Sequence, residues 1–251
     1  MLSRLLARGP RDLLWQIVLF CGAYWLYRLV RGEVFTESAA AFDHARQIVD
    51  LERALHVFVE PQIQQWAIGA GWIDDVGSWM YLNTHFVVTT CTLAFIYLFR
   101  NEHFYFVRNM FMVAMGLALI GYALYPTAPP RLFPGDGFTD TISTFTGVAQ
   151  DSTTASLLVN KYAAVPSMHI AFSLMIAVPA AALSRHSVAR TLWSAYPLCV
   201  FFVIVATGNH FWFDAAAGAA VACLAVLGAR ALARVRPDRW AWPEATREAT
   251  V

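Results

Sequence analysis

Charged side chains are scarce in this chain. Asp, Glu, Lys and Arg make up 14% of its 251 residues, whereas soluble domains carry about a quarter. Hydrophobic residues make up 58%, and the few charges are grouped between long apolar runs. A transmembrane helix needs about 20 consecutive apolar residues. The shortage of charge argues against an ordinary soluble enzyme and predicts a chain that crosses a membrane several times.

Net charge and cysteine are also low. The formal net charge of +1 gives no indication of nucleic-acid binding. All four cysteines lie inside apolar runs, which favours small buried apolar side chains over disulfides; they are Cys21, Cys91, Cys199 and Cys223. Internal repeats are lacking, so we expect a single domain over 1–251.

The apolar runs predict six membrane spans, at about 13–31, 76–99, 106–125, 166–184, 191–208 and 211–233. In lipid each span must be a helix, because every backbone N–H and C=O needs a partner within the protein. We therefore expect an all-α polytopic membrane protein. Its core covers about 76–235, after a first span and an interfacial helix in 1–75 and before a cytoplasmic tail at 236–251. The first run is long and lacks a small-residue cleavage site, so we expect an anchor and not a cleaved signal.

Basic residues set the expected orientation. With six spans, the two termini and the second and fourth connections lie on one side of the membrane. That side carries twelve arginines: Arg4, Arg8, Arg11, Arg100, Arg108, Arg185, Arg190, Arg230, Arg234, Arg236, Arg239 and Arg247. The opposite side carries six basic residues: Arg28, Arg31, Arg46, Arg53, Arg131 and Lys161. Because cytoplasmic loops carry the excess of Lys and Arg, we expect a plasma-membrane protein with both termini in the cytoplasm. The polar motifs described below then lie on the outer side.

Two long connections are expected on the outer side. In the first, about 32–75, apolar residues recur at helical spacing between Ala45 and Trp66. This pattern predicts a helix in 40–67, either lying along the membrane interface or packed on the bundle as an ordinary loop helix. The second, about 126–165, is rich in Pro, Gly, Asp and Thr. A loop of this length is more often functional than idle.

Polar groups in or beside membrane spans are candidate functional residues, because burying them in lipid is costly. The first cluster runs from Tyr125 to Arg131 after the third span, and Arg131 offers planar donors that suit phosphate oxygens. Alternatively, Arg131 contacts lipid head groups at the interface. The second cluster is Pro166-Ser167-Met168-His169, at the start of the fourth span. There the backbone N–H groups bind anions, or the histidine is incidental to a capped helix.

The third cluster, Gly208-Asn209-His210-Phe-Trp-Phe-Asp214, begins the last span. His210 and Asp214 are four residues apart and are therefore neighbours on one helix face. If Asp214 accepts a hydrogen bond from one ring nitrogen, the other nitrogen is free to attack, as in nucleophilic catalysis. A structural His–Asp pair is the alternative, but it does not account for the other two clusters.

Taken in order, the three clusters resemble those of the type 2 phosphatidic acid phosphatase superfamily. The likeness is greatest to its branch of inositol phosphorylceramide synthases (inositolphosphotransferases). It covers the second half of the chain strongly and extends loosely to Glu60-Pro-Gln-Ile-Gln64 and Tyr81-Leu-Asn-Thr-His85. Each motif alone is weak, whereas the ordered set on six helices is specific.

The resemblance implies catalysis through a phosphohistidine, without a metal or other cofactor. His210 would be the nucleophile, and Asp214 would orient it. His169 would protonate the leaving group and then activate the acceptor. Arg131, Ser167 and the backbone at Met168 would hold the phosphoryl oxygens.

The sequence departs from the founding phosphatases of the superfamily at two positions. They carry a lysine where this chain has Tyr125, and an arginine where it has Ile204. The synthase branch also lacks that arginine, which favours this subgroup. Lys161 either replaces one missing charge or is an exposed loop residue. We expect a head-group or acceptor pocket to draw on Asn83, His85, Tyr125, Lys161 and Asn209.

The predicted function is therefore a membrane lipid phosphotransferase or phosphatase that acts on a phospholipid or polyprenyl phosphate. A transferase would use a polyol or lipid alcohol as acceptor, and a phosphatase would use water. A non-enzymatic lipid-binding scaffold would have no reason to hold His169, His210 and Asp214 together. A vanadate-binding haloperoxidase would not need the apolar spans. The sequence gives no indication of the oligomeric state.

Overall fold

A computed structural model describes residues 6–33, 38–148 and 162–243. In these ranges the protein is all-helical and contains no β-strand. One isolated bridge joins Thr127 to Ala163. The ten α-helices in the described ranges are α1 Gly9–Glu33, α2 Ser38–Ala54, α3 Glu60–Gly69, α4 Trp72–Phe99, α5 Asn101–Leu124, α6 Thr141–Thr146, α7 Met168–Leu183, α8 Ser187–Ala206, α9 Trp212–Ala233 and α10 Pro237–Trp240. The all-α part of the predicted fold class is therefore confirmed.

Four helices among the described residues are long and apolar enough to cross a membrane: α4, α5, α8 and α9. The predicted fourth span corresponds to α7, which is apolar but has 16 residues. The predicted first span corresponds to α1, whose 25 residues include Arg11, Asp12, Arg28 and Arg31. Six spans therefore remain a prediction, while four candidate spans are established by length and composition.

The core of the bundle lies between α5, α7 and α9. Helix α5 packs on α9, and α7 packs on both α8 and α9. Small residues line the buried face of α9, as is usual where helices approach closely in membranes; they include Gly218, Ala222, Ala225 and Ala229. A Cβ added at Gly228 would lie 2.8 Å from Val113 Cγ1, so α5 and α9 are in close contact there.

The segment predicted as one helix between Ala45 and Trp66 forms two, α2 and α3. The helical conformation is interrupted between them at His56, which adopts a left-handed conformation with φ of 59°. Helix α3 restarts with Pro61 in its first turn, a position that proline favours. The apolar spacing continues across the break, which is why periodicity alone predicted a continuous helix.

Helix α4 contains a π-helical turn at Met80–Thr84. Such turns appear mostly as single turns inside α-helices and frequently mark functional sites. Its outward side chains, including Leu82 and Phe86, are exposed. Tyr81, Thr84 and His85 share the opposite face, since residues three and four apart are neighbours on a helix, and this face is directed at α7 and α8.

Candidate active site

His210 and Asp214 form a buried pair at the beginning of α9. His210 Nδ1 lies 3.1 Å from Asp214 Oδ2, which also accepts a hydrogen bond of 2.9 Å from the backbone N–H of Phe211. The aspartate is fully buried and His210 is 5% exposed. A carboxylate beside Nδ1 holds the proton on that nitrogen. The lone pair of the ring is therefore on Nε2, the nitrogen that is free to react.

His169 lies in the first turn of α7 and faces this pair. Its ring centroid is 5.6 Å from that of His210. On other sides its ring stacks on Tyr81 at 4.5 Å and contacts His85 at 4.7 Å. Three rings, two from α4 and one from the segment just before α9, thus fix the position of the His169 imidazole.

Arg131 reaches the same region from the loop after α5. It belongs to a short 3₁₀ turn at Pro130–Leu132 and is 7% exposed. Its guanidinium donates to Asn209 Oδ1. Its Nε is 3.6 Å from Asp140 Oδ1, which is an ion pair but too long for a hydrogen bond. Because a guanidinium has five donors, the side chain has capacity left for an anion.

The backbone joins the three motifs to one another. The N–H of Arg131 donates to the carbonyl of Gly208 at 2.7 Å, and the N–H of Ser167 donates to the carbonyl of Asp214 at 3.0 Å. A Cβ at Gly218 would lie 2.2 Å from the Ser167 carbonyl oxygen. Glycine is therefore required where α9 passes under the start of α7.

Ser167 supplies a buried hydroxyl at the N-terminus of α7. Its side chain is fully buried, and its Oγ has no hydrogen-bond partner among the residues that the structure describes. An unpaired buried polar group costs free energy. The Ser167 hydroxyl and the backbone N–H groups that begin α7, including that of Met168, form a group of donors suited to an anion.

The predicted site residues are partly brought together. Arg131, Ser167, Met168, His169, Asn209, His210 and Asp214 converge as described, and His85 contacts His169. Tyr125 instead stacks on His44 at 4.0 Å and donates to Gln47. Asn83 is exposed and donates to the carbonyl of Trp79 in its own helix. Lys161 lies outside the described residues.

Two acidic residues that the motif reasoning did not single out cover the beginning of α9. Glu60 Oε1 accepts from the backbone N–H of Trp212 at 3.1 Å, and Glu52 Oε1 accepts from that of Phe213 at 2.9 Å. Both side chains are buried, at 2% exposure for Glu52 and 0% for Glu60. Burial, followed by the neighbouring carboxyl of Glu60, raises the pKa of Glu52 to about 9.

A glutamine of α3 fixes the loop above the site. Gln64 donates to the carbonyl of Thr139 at 2.8 Å and accepts from its N–H at 3.0 Å. Gly208, with φ of +62°, leaves room for this amide, because a Cβ there would lie 2.4 Å from Gln64 Nε2. The Glu60–Gln64 stretch, noted in the sequence for its resemblance alone, therefore supports both Arg131 and α9.

The comparison with protein families agrees with this arrangement of motifs. The family model of the PAP2 superfamily matches residues 46–228, a range that runs from α2 to α9 and contains every residue of the site. The chain therefore belongs to the PAP2 superfamily. Membership indicates a phosphatase or phosphotransferase of lipid phosphates, in a superfamily whose phosphatases are generally metal-independent. No curated protein and no solved structure matches the chain.

Proposed function

We propose that this protein is a membrane lipid phosphotransferase or phosphatase that works through a phosphohistidine on His210. The observation that carries the proposal is the buried His210–Asp214 pair, at 3.1 Å, with the His169 ring 5.6 Å away. One imidazole is oriented for attack, and a second is near enough to exchange a proton with the group that leaves.

The reaction has two steps. In the first, His210 Nε2 attacks phosphorus, and the bond from phosphorus to the leaving oxygen breaks. His169 gives its proton to that oxygen. In the second, the acceptor hydroxyl gives its proton to His169, and its oxygen attacks phosphorus. The P–N bond then breaks and its electron pair returns to His210.

Charge that develops on the phosphoryl oxygens is stabilised by Arg131, the Ser167 hydroxyl and the first N–H groups of α7. These donors are held by the protein before the substrate arrives, which is the condition for effective electrostatic catalysis. Asn209 keeps the guanidinium of Arg131 in place through the hydrogen bond between them. Asn209 is therefore a positioning residue in this proposal, and its contact with an acceptor stays a prediction.

The donor is a phospholipid or a polyprenyl phosphate, and we place the site on the outer side of the plasma membrane. The arginine-rich ends and connections support this orientation, with both termini in the cytoplasm. The apolar helices α4, α5, α8 and α9 support access from the lipid phase.

Transfer to a polyol is the finer proposal, and plain hydrolysis is the alternative. The motifs resemble those of the inositol phosphorylceramide synthases, and Ile204 supports this likeness. It occupies the place of a phosphatase arginine and is fully buried in an apolar cluster with Ile170 and Val200. This position therefore contributes apolar packing and no charge to the site.

The test is a labelled phosphoenzyme. Purified protein is mixed with a lipid phosphate labelled on phosphorus and quenched in alkali, where phosphohistidine survives. The native protein should retain label and turn over, and His210→Ala should lose both. His186→Ala, which removes an exposed histidine at the start of α8, should behave as the native protein does. Label and turnover in His210→Ala would refute the nucleophile assignment.

A further inference from the structure

A small cavity lies against His169. It encloses about 10 Å³ between α4, α7 and α8, which is about the volume that one water oxygen needs. The side chains of Tyr81, Thr84, His85, His169 and Tyr196 line it, together with apolar residues of α4 and α8. We call this cavity the hydroxyl pocket.

Three of the residues that line the hydroxyl pocket each carry a buried polar atom without a hydrogen-bond partner among the described residues. These atoms are Thr84 Oγ1, His85 Nδ1 and Tyr196 Oη. Buried polar atoms nearly always have partners in folded proteins. Three exceptions around one cavity of this size indicate an occupant that donates and accepts hydrogen bonds.

The pocket is produced by an irregularity of α4. The π-helical turn at Met80–Thr84 precedes His85 directly and brings Tyr81, Thr84 and His85 to the side where His169 lies. Tyr81 and His85 both contact the His169 ring. The occupant is therefore beside the imidazole that exchanges protons in the proposed reaction.

We propose that the hydroxyl pocket holds the acceptor hydroxyl group, of water in hydrolysis or of an alcohol in transfer, next to His169. This inference rests on the proposed function, since it assigns a place to the acceptor of the second step. The hydroxyl proton passes to His169, the new O–P bond forms, and the P–N bond to His210 breaks. Thr84, His85 and Tyr196 orient the hydroxyl oxygen in this second step. The leaving oxygen of the first step departs on the same side of phosphorus, so a leaving group that needs no proton is required to separate the two steps.

The separation of the two steps gives the experiment. Tyr196→Phe and Thr84→Val each remove one pocket hydroxyl with little change of shape. Thr89→Val is the matched control, because Thr89 is also a buried threonine of α4 but does not line the pocket. A water-soluble aryl phosphate, whose leaving group needs no protonation, is mixed rapidly with each purified protein. The burst of released phenol reports formation of the phosphoenzyme, and the steady rate reports its breakdown.

We expect Tyr196→Phe and Thr84→Val to keep the burst and to slow the steady rate by about tenfold, the effect of one lost hydrogen bond. Thr89→Val should change neither. If the phosphoenzyme breaks down at the native rate in both pocket variants, the hydroxyl pocket does not hold the acceptor, and the proposed function is unaffected. Absence of any burst and of any labelled His210 in the native protein would instead overturn the proposed function.

Added alcohols distinguish the two sources of the hydroxyl. The same proteins are assayed with methanol or glycerol, and the alkyl phosphate and inorganic phosphate that form are quantified. If an alcohol hydroxyl occupies the pocket, both products should fall together in Tyr196→Phe. If water alone occupies it, inorganic phosphate should fall and the alkyl phosphate should not. If neither product falls, the acceptor does not use the pocket and the proposal is wrong.

Discussion

Glu52 and Glu60 are neighbouring buried carboxyls above the N-terminus of α9, where Glu60 helps to raise the pKa of Glu52. Each also accepts a backbone N–H of α9, from Phe213 and Trp212 respectively. The pair satisfies two of the N–H groups that a helix leaves unpaired at its beginning. Because Asp214 lies in this first turn and His210 just precedes it, the two carboxyls hold the backbone that carries the proposed nucleophile.

The first prediction concerns the pH dependence of stability. The pKa of Glu52 is raised from 4.5 to about 9 in the folded protein, so the folded state keeps a proton that the unfolded state loses. Stability should therefore fall as the pH rises from about 4.5 to about 9, by at most about 1.4 kcal/mol per pH unit. Thermal unfolding in detergent across this range measures the slope.

Glu52→Gln isolates this effect. A glutamine can accept from Phe213 and donate to Glu60 without titrating, so the variant should show a flatter profile and a higher unfolding temperature at pH 8. Asp43→Asn is the control, since Asp43 forms an exposed ion pair with Arg46. An unchanged slope in Glu52→Gln would show that this carboxyl does not hold the proton.

The second prediction separates the two histidines by leaving group. With a lipid phosphate, whose leaving alkoxide needs a proton, His169→Ala should lower turnover by roughly 10²- to 10⁴-fold. With an aryl phosphate the first step should be nearly normal, so label should accumulate on His210. If His169→Ala reduces the labelling of His210 equally with the lipid phosphate and the aryl phosphate, His169 serves in binding and not in proton transfer.

The third prediction concerns the contact between α7 and α9. Gly218→Ala would place a Cβ 2.2 Å from the Ser167 carbonyl oxygen, so the helices must separate and the hydrogen bond from Ser167 to Asp214 must lengthen. We expect lower thermal stability and loss of most activity. Gly116→Ala, in the interior of α5 with open space around the added Cβ, should be neutral or stabilise by about 0.5–1 kcal/mol.

The fourth prediction is that activity does not depend on a divalent cation. The described residues contain no group of three or more His, Cys, Asp or Glu side chains placed to hold a metal. Asp214 is already bound to His210 and Phe211. Turnover by purified protein in excess EDTA should equal turnover without it. Loss in EDTA that magnesium restores would contradict the proposed mechanism.

The fifth prediction places the site relative to the membrane. In a background without Cys21, Cys91, Cys199 and Cys223, cysteines at Thr144 and Asp238 are introduced one at a time. Both positions are exposed. An impermeant thiol reagent should label Thr144→Cys in intact cells. It should label Asp238→Cys only after the membrane has been permeabilised. The reverse pattern would put the site in the cytoplasm.

The sequence predicted the parts of the site that depend on local chemistry. His210 and Asp214 are paired, as their spacing of four residues predicted, although His210 precedes α9 and is not on its face. The donors at Ser167–His169 follow from a proline before an apolar helix. Such features are encoded within five or six residues. The convergence of the three motifs could be expected only from their order along the chain and from family resemblance.

Other features had no local signal. Glu60 and Trp212 are 152 residues apart, and nothing in an amphipathic helix indicates that one of its acids turns inward to cap a distant helix. The break at His56 interrupts a regular apolar pattern that continues beyond it. The π-helical turn of α4 likewise depends on packing against α7 and α8. These features arise from tertiary contacts, which periodicity does not record.

The two backbone hydrogen bonds that join the motifs have a practical consequence for engineering. Arg131 to Gly208 and Ser167 to Asp214 are main-chain links, so the spacing of the three motifs does not depend on the side chains around the proposed acceptor. Thr84 and Tyr196 can therefore be varied while His85, which contacts the His169 ring, is kept. A library confined to these two positions should change which hydroxyl compounds the protein accepts, while the proposed phosphohistidine still forms.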